Sequence, residues 1–146
     1  MTATLPQTPE WDAVEIGQEI ASPERLLDWQ DVVLQISGTQ DWNRVHYDHQ
    51  FAVEAGHREV FFNVGWTSAM LSKVLTDWCG AAGWLRELDF QMRRMIAPGD
   101  TVQAKAKVTG KRIEDGQALV ELDVWLETDS EGTTTPGKAV VALPAA

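Results

Sequence analysis

Residues 63–79 limit the fold more than any other part of this chain. Val64, Thr67, Leu71, Val74, Leu75 and Trp78 recur at spacings of three and four, and only Lys73 and Asp77 are charged. Asn63 suits the N-cap and Gly80 the end of such a helix. Gly65, Ser68, Ala69 and Ser72 add a stripe of small residues on the adjoining face. A helix that is apolar or small nearly all round is expected to be buried, and the small stripe is expected to let a sheet wrap closely against it.

The second half of the chain supplies that sheet. Leu88, Phe90 and Met92 alternate with Asp89 and Gln91, and Pro98-Gly99-Asp100 marks a turn. Val102, Ala104, Ala106 and Val108 alternate with Gln103, Lys105, Lys107 and Thr109. Glu114-Asp115-Gly116-Gln117 reads as a hairpin turn, residues 118–127 as a strand, 129–137 as a turn region and 138–143 as the last strand. Before the helix the pattern is less regular. Residues 11–17 read as a packed edge segment ending at a Gly turn. Val32-Val33-Leu34-Gln35-Ile36 reads as a strand, although Leu26, Leu27 and Trp29 also fit the first turn of a helix. The fold class is therefore α+β, with an antiparallel sheet wrapped around one central buried helix. Residues 1–10 form a loose leader and 11–146 the single domain. A sheet with one helix on its concave face often completes its core or its site by dimerisation.

Composition narrows the function classes. The 146 residues are 44 % apolar and 23 % charged, the balance of a globular domain without a membrane span. A formal charge of −10 argues against nucleic acid, whose phosphates need a basic face. A single cysteine, Cys79, rules out an internal disulfide framework and fits a reducing cytoplasm. Beside Gly80 and with no base next to it in sequence, it reads as a packed thiol. Seven tryptophans leave room for a pocket that takes a bulky ligand, such as a ring-bearing acyl group.

The chemistry is concentrated between residues 40 and 52. Asp41, Asn43, His46 and Asp48 stand within eight positions, just before helix signals. Asp41 and His46 are five apart, about 140° around a regular helix and on opposite faces of a strand. They converge only if the chain between them is irregular. Asp48 reads as the N-cap of a short helix over 49–55, closed by Gly56. A carboxylate and an imidazole presented from such a loop suit general acid–base work on a water molecule. His46, Asp48 and His49 suggest a metal site only weakly, because two ligands three apart have no third candidate nearby, so no metal is expected. His49 and His57 read as solvated, and Arg93, Arg94, Lys105 and Lys107 form a basic cluster near the sheet.

Together, Asp41-x-Asn43-x-x-His46-x-Asp48-x-x-Phe51-Ala52, the helix end Leu75-Thr76-Asp77-Trp78-x-Gly80 and the turn Pro98-Gly99-Asp100-Thr101-Val102 resemble the signature of MaoC-like hydratases. The resemblance implies a single hotdog domain and hydration of a trans-2-enoyl thioester, or dehydration of the (R)-3-hydroxyacyl thioester. It implies Asp41 and His46 as the acid–base pair and Asn43 as a brace for the loop. The enolate oxygen would meet the N–H groups of Val64 and Gly65 at the helix start, with Asn63 as a further polar contact to the thioester. Trp42 and Trp66 would narrow the acyl pocket. No cofactor is implied beyond the coenzyme A carried by the substrate, and the chain would act as a homodimer or beside a related hotdog chain. Arg44 stands where the family has Pro, and Val64 separates Asn63 from Gly65, where the family has Gly directly after the polar residue. Two other readings stay open: a hotdog thioester hydrolase, for which the helix offers only Asp77 as a carboxylate, and a non-catalytic acyl-binding partner subunit.

Overall fold

The computed structural model describes residues 7–145. Part of the leader expected over 1–10, residues 1–6, lies outside the described residues. From Thr8 onward the chain is held, because the Thr8 hydroxyl accepts the Ala82 N–H at 3.0 Å.

The helix expected from the apolar spacing is α3, Val64–Cys79, with Asn63 as its N-cap and Gly80 at φ 68° ending it. Thr67, Leu71, Val74, Leu75 and Cys79 form its buried face. The Cys79 thiol is buried, and that burial raises its pKa, consistent with a packed side chain. The expectation of burial all round is corrected, because Val64, Gly65, Ala69, Lys73, Thr76 and Asp77 face outward in this chain. Of the small stripe, Gly65 and Ala69 are exposed and Ser68 and Ser72 half-buried, whereas the sheet's own small residues Ala104 and Ala106 are fully buried. Full burial of Leu71 and Leu75 contributes roughly 1.5–3 kcal/mol each.

Among the described residues six strands form one antiparallel sheet: β1 (Glu19–Ala21), β2 (Arg25–Leu26), β3 (Trp84–Phe90), β4 (Thr101–Glu114), β5 (Gln117–Thr128) and β6 (Gly132–Leu143). Their order is β1-β4-β5-β6-β3, with β2 also on β4. Val102, Ala104, Ala106 and Val108 point inward, as do Val120, Leu122, Val124 and Leu126. A register shift after Val108 carries β4 past its expected end to Glu114. Asp115 and Gly116 both have positive φ, the conformation of a two-residue hairpin turn. β6 begins at Gly132, earlier than the sequence pattern indicates, because Thr134 and Thr135 are buried and Pro136 pairs opposite Trp125. In the N-terminal segment Trp11–Ala13 is a single 3-10 turn, and the Trp11 indole donates to the Leu119 carbonyl at 2.9 Å.

Residues 32–36 are not a strand. They lie in α1, Trp29–Thr39. Asp28 accepts from the N–H groups of Gln30 and Asp31, and the Asp31 carboxylate accepts from the Asp28 N–H, a reciprocal box that outweighs the β-branched run. Asp31, Val32, Gln35 and Ile36 face inward, while Val33 and Leu34 remain exposed, which is why the run lacks helical periodicity. Replacing the cap by Asp28→Ala is expected to lower stability by about 1 kcal/mol in urea unfolding. An unchanged midpoint would show that tertiary packing alone holds α1.

Candidate active site

The segment between Asp41 and His46 is irregular, as convergence of the two requires. Gln40 ends α1 at φ 56°, a left-handed conformation, and turns the chain out of the helix axis. Asp41 Oδ1 then accepts the Asn43 N–H at 3.2 Å. Asn43 Oδ1 in turn accepts the Val45 N–H at 3.3 Å and starts a 3-10 turn, Arg44–His46. Asp48 Oδ1 accepts the Phe51 N–H at 3.1 Å and caps α2, His49–Glu54. Each short polar side chain thus caps the backbone just beyond it.

His46 is buried, and Asp41 is partly open to solvent. His46 Nδ1 lies 2.8 Å from the Phe61 carbonyl oxygen. A carbonyl can only accept, so Nδ1 carries the proton and Nε2 faces Asp41 Oδ2 at 3.3 Å. Phe61 also stands edge-on to the imidazole, with centroids 4.9 Å apart. A neutral imidazole in this tautomer presents a lone pair to a carboxylate. The pair is therefore stable when it shares one proton, or when both atoms address the same water. Either state can exchange a proton with a bound substrate.

Phe61 also joins this pair to Asn63, the N-cap of α3, two residues on. The Trp66 N–H is taken by Asn63 Oδ1 at 2.9 Å, and the Thr67 N–H by the Asn63 carbonyl at 3.0 Å. Val64 and Gly65 keep the first-turn N–H groups that have no acceptor among the described residues. Thr39 packs close against Gly65, where a Cβ would stand 2.8 Å from Thr39 Cγ2 and displace that side chain. Asn63 itself is buried, and its amide spans from the Thr39 hydroxyl, 2.7 Å from Nδ2, to the Trp66 N–H. Both ends of the side chain are engaged within the fold, so Asn63 sets the helix start and does not present its amide outward.

Trp42 is 61 % exposed, and Trp66 tilts onto Phe62 with ring centroids 4.4 Å apart. His49 and His57 are not simply solvated: His49 lies 2.6 Å from Glu59 Oε1, and His57 packs on the Phe61 ring. The basic cluster is largely neutralised, with Arg94 paired to Glu131, Lys105 to Glu127 and Lys107 to Glu19. A groove of about 570 Å³ lined by Phe90, Trp125 and Pro136 lies on the face of the sheet away from α3, and neither Asp41 nor His46 lines it. The spacing of the motif gave no sign of Phe61, Gln35 or Thr39. Phe61 acts through its carbonyl, which any residue type supplies, and the other two lie on or near a segment whose pattern reads as a strand.

Arg44 takes over a constraint that a proline ring would supply. Its guanidinium is bonded to Asp48 Oδ2 at 2.7 and 3.1 Å and lies over the Phe51 ring at 4.4 Å, which ties the 3-10 turn to α2. The Arg44 bond, with the Phe51 N–H, holds the Asp48 carboxyl below its ordinary pKa. A depressed carboxyl pKa stabilises the cap above the ordinary value, and that contribution is lost as pH falls through the lowered one. In Arg44→Ala the Asp48 carboxyl is expected to titrate at higher pH than in wild type, read by carbon-13 NMR. An unmoved midpoint would mean that Arg44 does not hold it.

The fold agrees with the comparisons to known proteins. The model of the MaoC like domain matches residues 12–129. A Mycobacterium tuberculosis protein, the 3-oxo-4,17-pregnadiene-20-carboxyl-CoA hydratase beta subunit, is 25 % identical over 91 residues, covering 62 % of this chain and 69 % of that protein. Among solved structures, the ChsH1-ChsH2 complex of Mycobacterium tuberculosis contains a chain matching with a TM-score of 0.79 at 21 % identity, over 89 % of this chain and 98 % of that one. The (R)-hydratase of A. caviae involved in PHA biosynthesis matches with a TM-score of 0.79 at 20 % identity, over 90 % of this chain and 98 % of that one. R-hydratase PhaJ1 of Pseudomonas aeruginosa matches with a TM-score of 0.83 at 18 % identity, over 98 % of this chain and 90 % of that one. An antiparallel sheet wrapped on one central helix, with a family match over residues 12–129, makes this chain a member of the MaoC-like domain family with the hotdog fold.

Proposed function

We propose that this chain adds water to a trans-2-enoyl-CoA thioester, or removes it from the (R)-3-hydroxyacyl-CoA thioester, with Asp41 and His46 as catalytic residues. The observation that carries the reading is the buried His46, anchored through Nδ1–H to the Phe61 carbonyl so that Nε2 faces Asp41 Oδ2 at 3.3 Å. In hydration the pair binds one water and withdraws a proton from it as its oxygen bonds to C3 of the enoyl group. The pair returns a proton to C2, so that the elements of water are added without another reactant. Asp41, with its solvent-facing carboxylate, holds the water, and His46 passes the proton. Charge that develops on the thioester oxygen meets the free N–H groups of Val64 and Gly65, where the α3 dipole favours it. Asn43 and Asn63 orient the two loops, and neither touches the reacting atoms.

Hydrolysis of the thioester has less support. The one carboxylate on α3, Asp77, is exposed near the far end and paired with Lys73 at 2.7 Å. The first test follows loss of enoyl absorbance over a panel of 2-enoyl-CoA thioesters from short chain to ring-bearing, the latter chosen because of the M. tuberculosis relative. Asp41→Asn and His46→Ala are each expected to lose on the order of 10²–10⁴-fold in kcat while staying folded. Full activity in either variant would remove that residue from the reaction, and release of free thiol would replace hydration by hydrolysis.

The acyl pocket, in this reading, is closed by a second hotdog chain, either another copy or a relative. What supports it is the open side of α3, where Val64 is 59 % exposed, together with Val33 and Trp42 exposed nearby in sequence to the site. A site that leaves such apolar surface in water is unfinished in one chain. Sedimentation of the wild type is expected to give a two-chain species, and Ala69→Arg, on the open face of α3, a folded single chain. A wild type that sediments as one chain, yet turns over substrate at its full rate, would sink this assignment.

A further inference from the structure

Gln35 is a buried polar side chain that neither the family signature nor the proposed reaction assigns. It sits on the inner face of α1 at 4 % exposure. Its Oε1 accepts the Asn63 N–H at 2.9 Å, and its Nε2 makes a longer 3.5 Å contact to the Phe61 carbonyl. The same carbonyl takes the His46 Nδ1–H at 2.8 Å. The amide orientation is fixed by these partners, because an N–H can only donate and a C=O can only accept. Gln35 therefore pairs with the backbone of residues 61–63 as a neighbouring strand would, one donor to a carbonyl and one acceptor from the N–H two residues on. Its own carbonyl receives the Thr39 hydroxyl at 2.7 Å, and that hydroxyl receives the Asn63 amide at 2.7 Å.

We infer that Gln35 is a positioning residue that holds His46 in register with the N-terminus of α3, through the Phe61 carbonyl and the Asn63 N–H. This rests on the hydratase reading for its catalytic meaning, though not for its geometry. Proton transfer and stabilisation of the developing oxyanion must act on one substrate at once, so the imidazole and the free N–H groups must keep a fixed separation. The only covalent link between them is residues 46–64, which includes the exposed chain after α2. A side chain gripping both sides of Phe62 shortens that path to one buried amide.

Two variants test it. Gln35→Met keeps the approximate volume and removes both contacts. It is expected to lower kcat by about 10- to 100-fold with KM within about twofold, the effect of a misplaced catalytic group. Gln35→Glu keeps the acceptor for Asn63 but meets the Phe61 carbonyl favourably only while the new carboxyl is protonated. Its kcat is expected to approach wild type at acid pH and to fall as that carboxyl ionises, a limb absent from the wild-type profile. The readout that needs no turnover is the His46 Nδ1–H proton resonance, which is expected to be slow to exchange in wild type and fast in Gln35→Met. A Gln35→Met protein that loses thermal stability alone, with resonance and kcat unchanged, would reduce Gln35 to a packing role and overturn the inference. If the wild type turns over no enoyl thioester, the hydratase reading fails, and the resonance still decides whether Gln35 holds His46.

Discussion

The N-terminus of α3 depends on Asn63, and much of the site depends on that N-terminus. One residue caps the helix through its side chain, receives α1 through its amide and its N–H, and follows the peptide that anchors His46. A buried side chain with this many partners is costly to leave half-satisfied, because each lost bond strands a donor or acceptor away from water. Among the described residues no buried side-chain nitrogen or oxygen lacks a partner. Local satisfaction of polar groups, and not apolar packing alone, thus fixes where α1, the acid–base loop and α3 meet.

The sheet carries a different burden. Its inner face is made of alternating apolar side chains, small in the middle of β4 at Ala104 and Ala106 and larger on β5, and it buries one face of the helix without reaching round to the other. Below the site, Asp100 of the Pro-Gly-Asp turn ties the sheet to the loop after α2. It accepts from Arg58, from the Ala97 N–H at 2.9 Å and from the Ser130 hydroxyl at 2.9 Å. Its side chain is nearly fully buried, so removing Arg58 would leave a carboxylate with backbone and hydroxyl donors only. This turn, like the acid–base loop, uses a short acidic residue to accept a backbone N–H and a side-chain donor from a neighbouring segment.

What could be read from the sequence follows the same division. Strand alternation at Val102–Val108 and the apolar spacing of α3 reflect burial, which leaves a periodic trace. Asp48 was legible as a cap because capping needs particular residue types at short spacings, and it caps α2 in the structure, while Asn43, expected to brace the loop, caps the 3-10 turn. Segment 32–36 was misread because Val33 and Leu34 are exposed apolar residues that mask the helical period, while the decisive signal, the Asp28/Asp31 box, lay just upstream. The open face of α3 was hidden for the opposite reason. Small and apolar residues look buried by composition, and only the arrangement of the sheet reveals that it covers one side. Gln35 and the Phe61 carbonyl could not be found from spacing, since their partners lie 26 and 15 residues away.

The motif itself has a physical reading that does not depend on its chemistry. Asp41, Asn43 and Asp48 each accept a backbone N–H two or three residues on, so the loop is a succession of capped turns. Such a succession is stiff without being regular, which is what allows Asp41 and His46, five residues apart, to face each other. The first carboxylate spends one oxygen on its own turn and leaves the other toward His46. The last does the same in mirror fashion, one oxygen on the α2 cap and the other on Arg44. Here the arginine replaces a ring constraint by a charge-assisted contact across four residues, exposed to solvent and sensitive to salt and pH where a proline would be neither. The loop geometry of this chain is therefore held partly by electrostatics. Conditions that weaken the Arg44–Asp48 pair act first on α2, and through the shared backbone at Asp48 on the turn that carries His46.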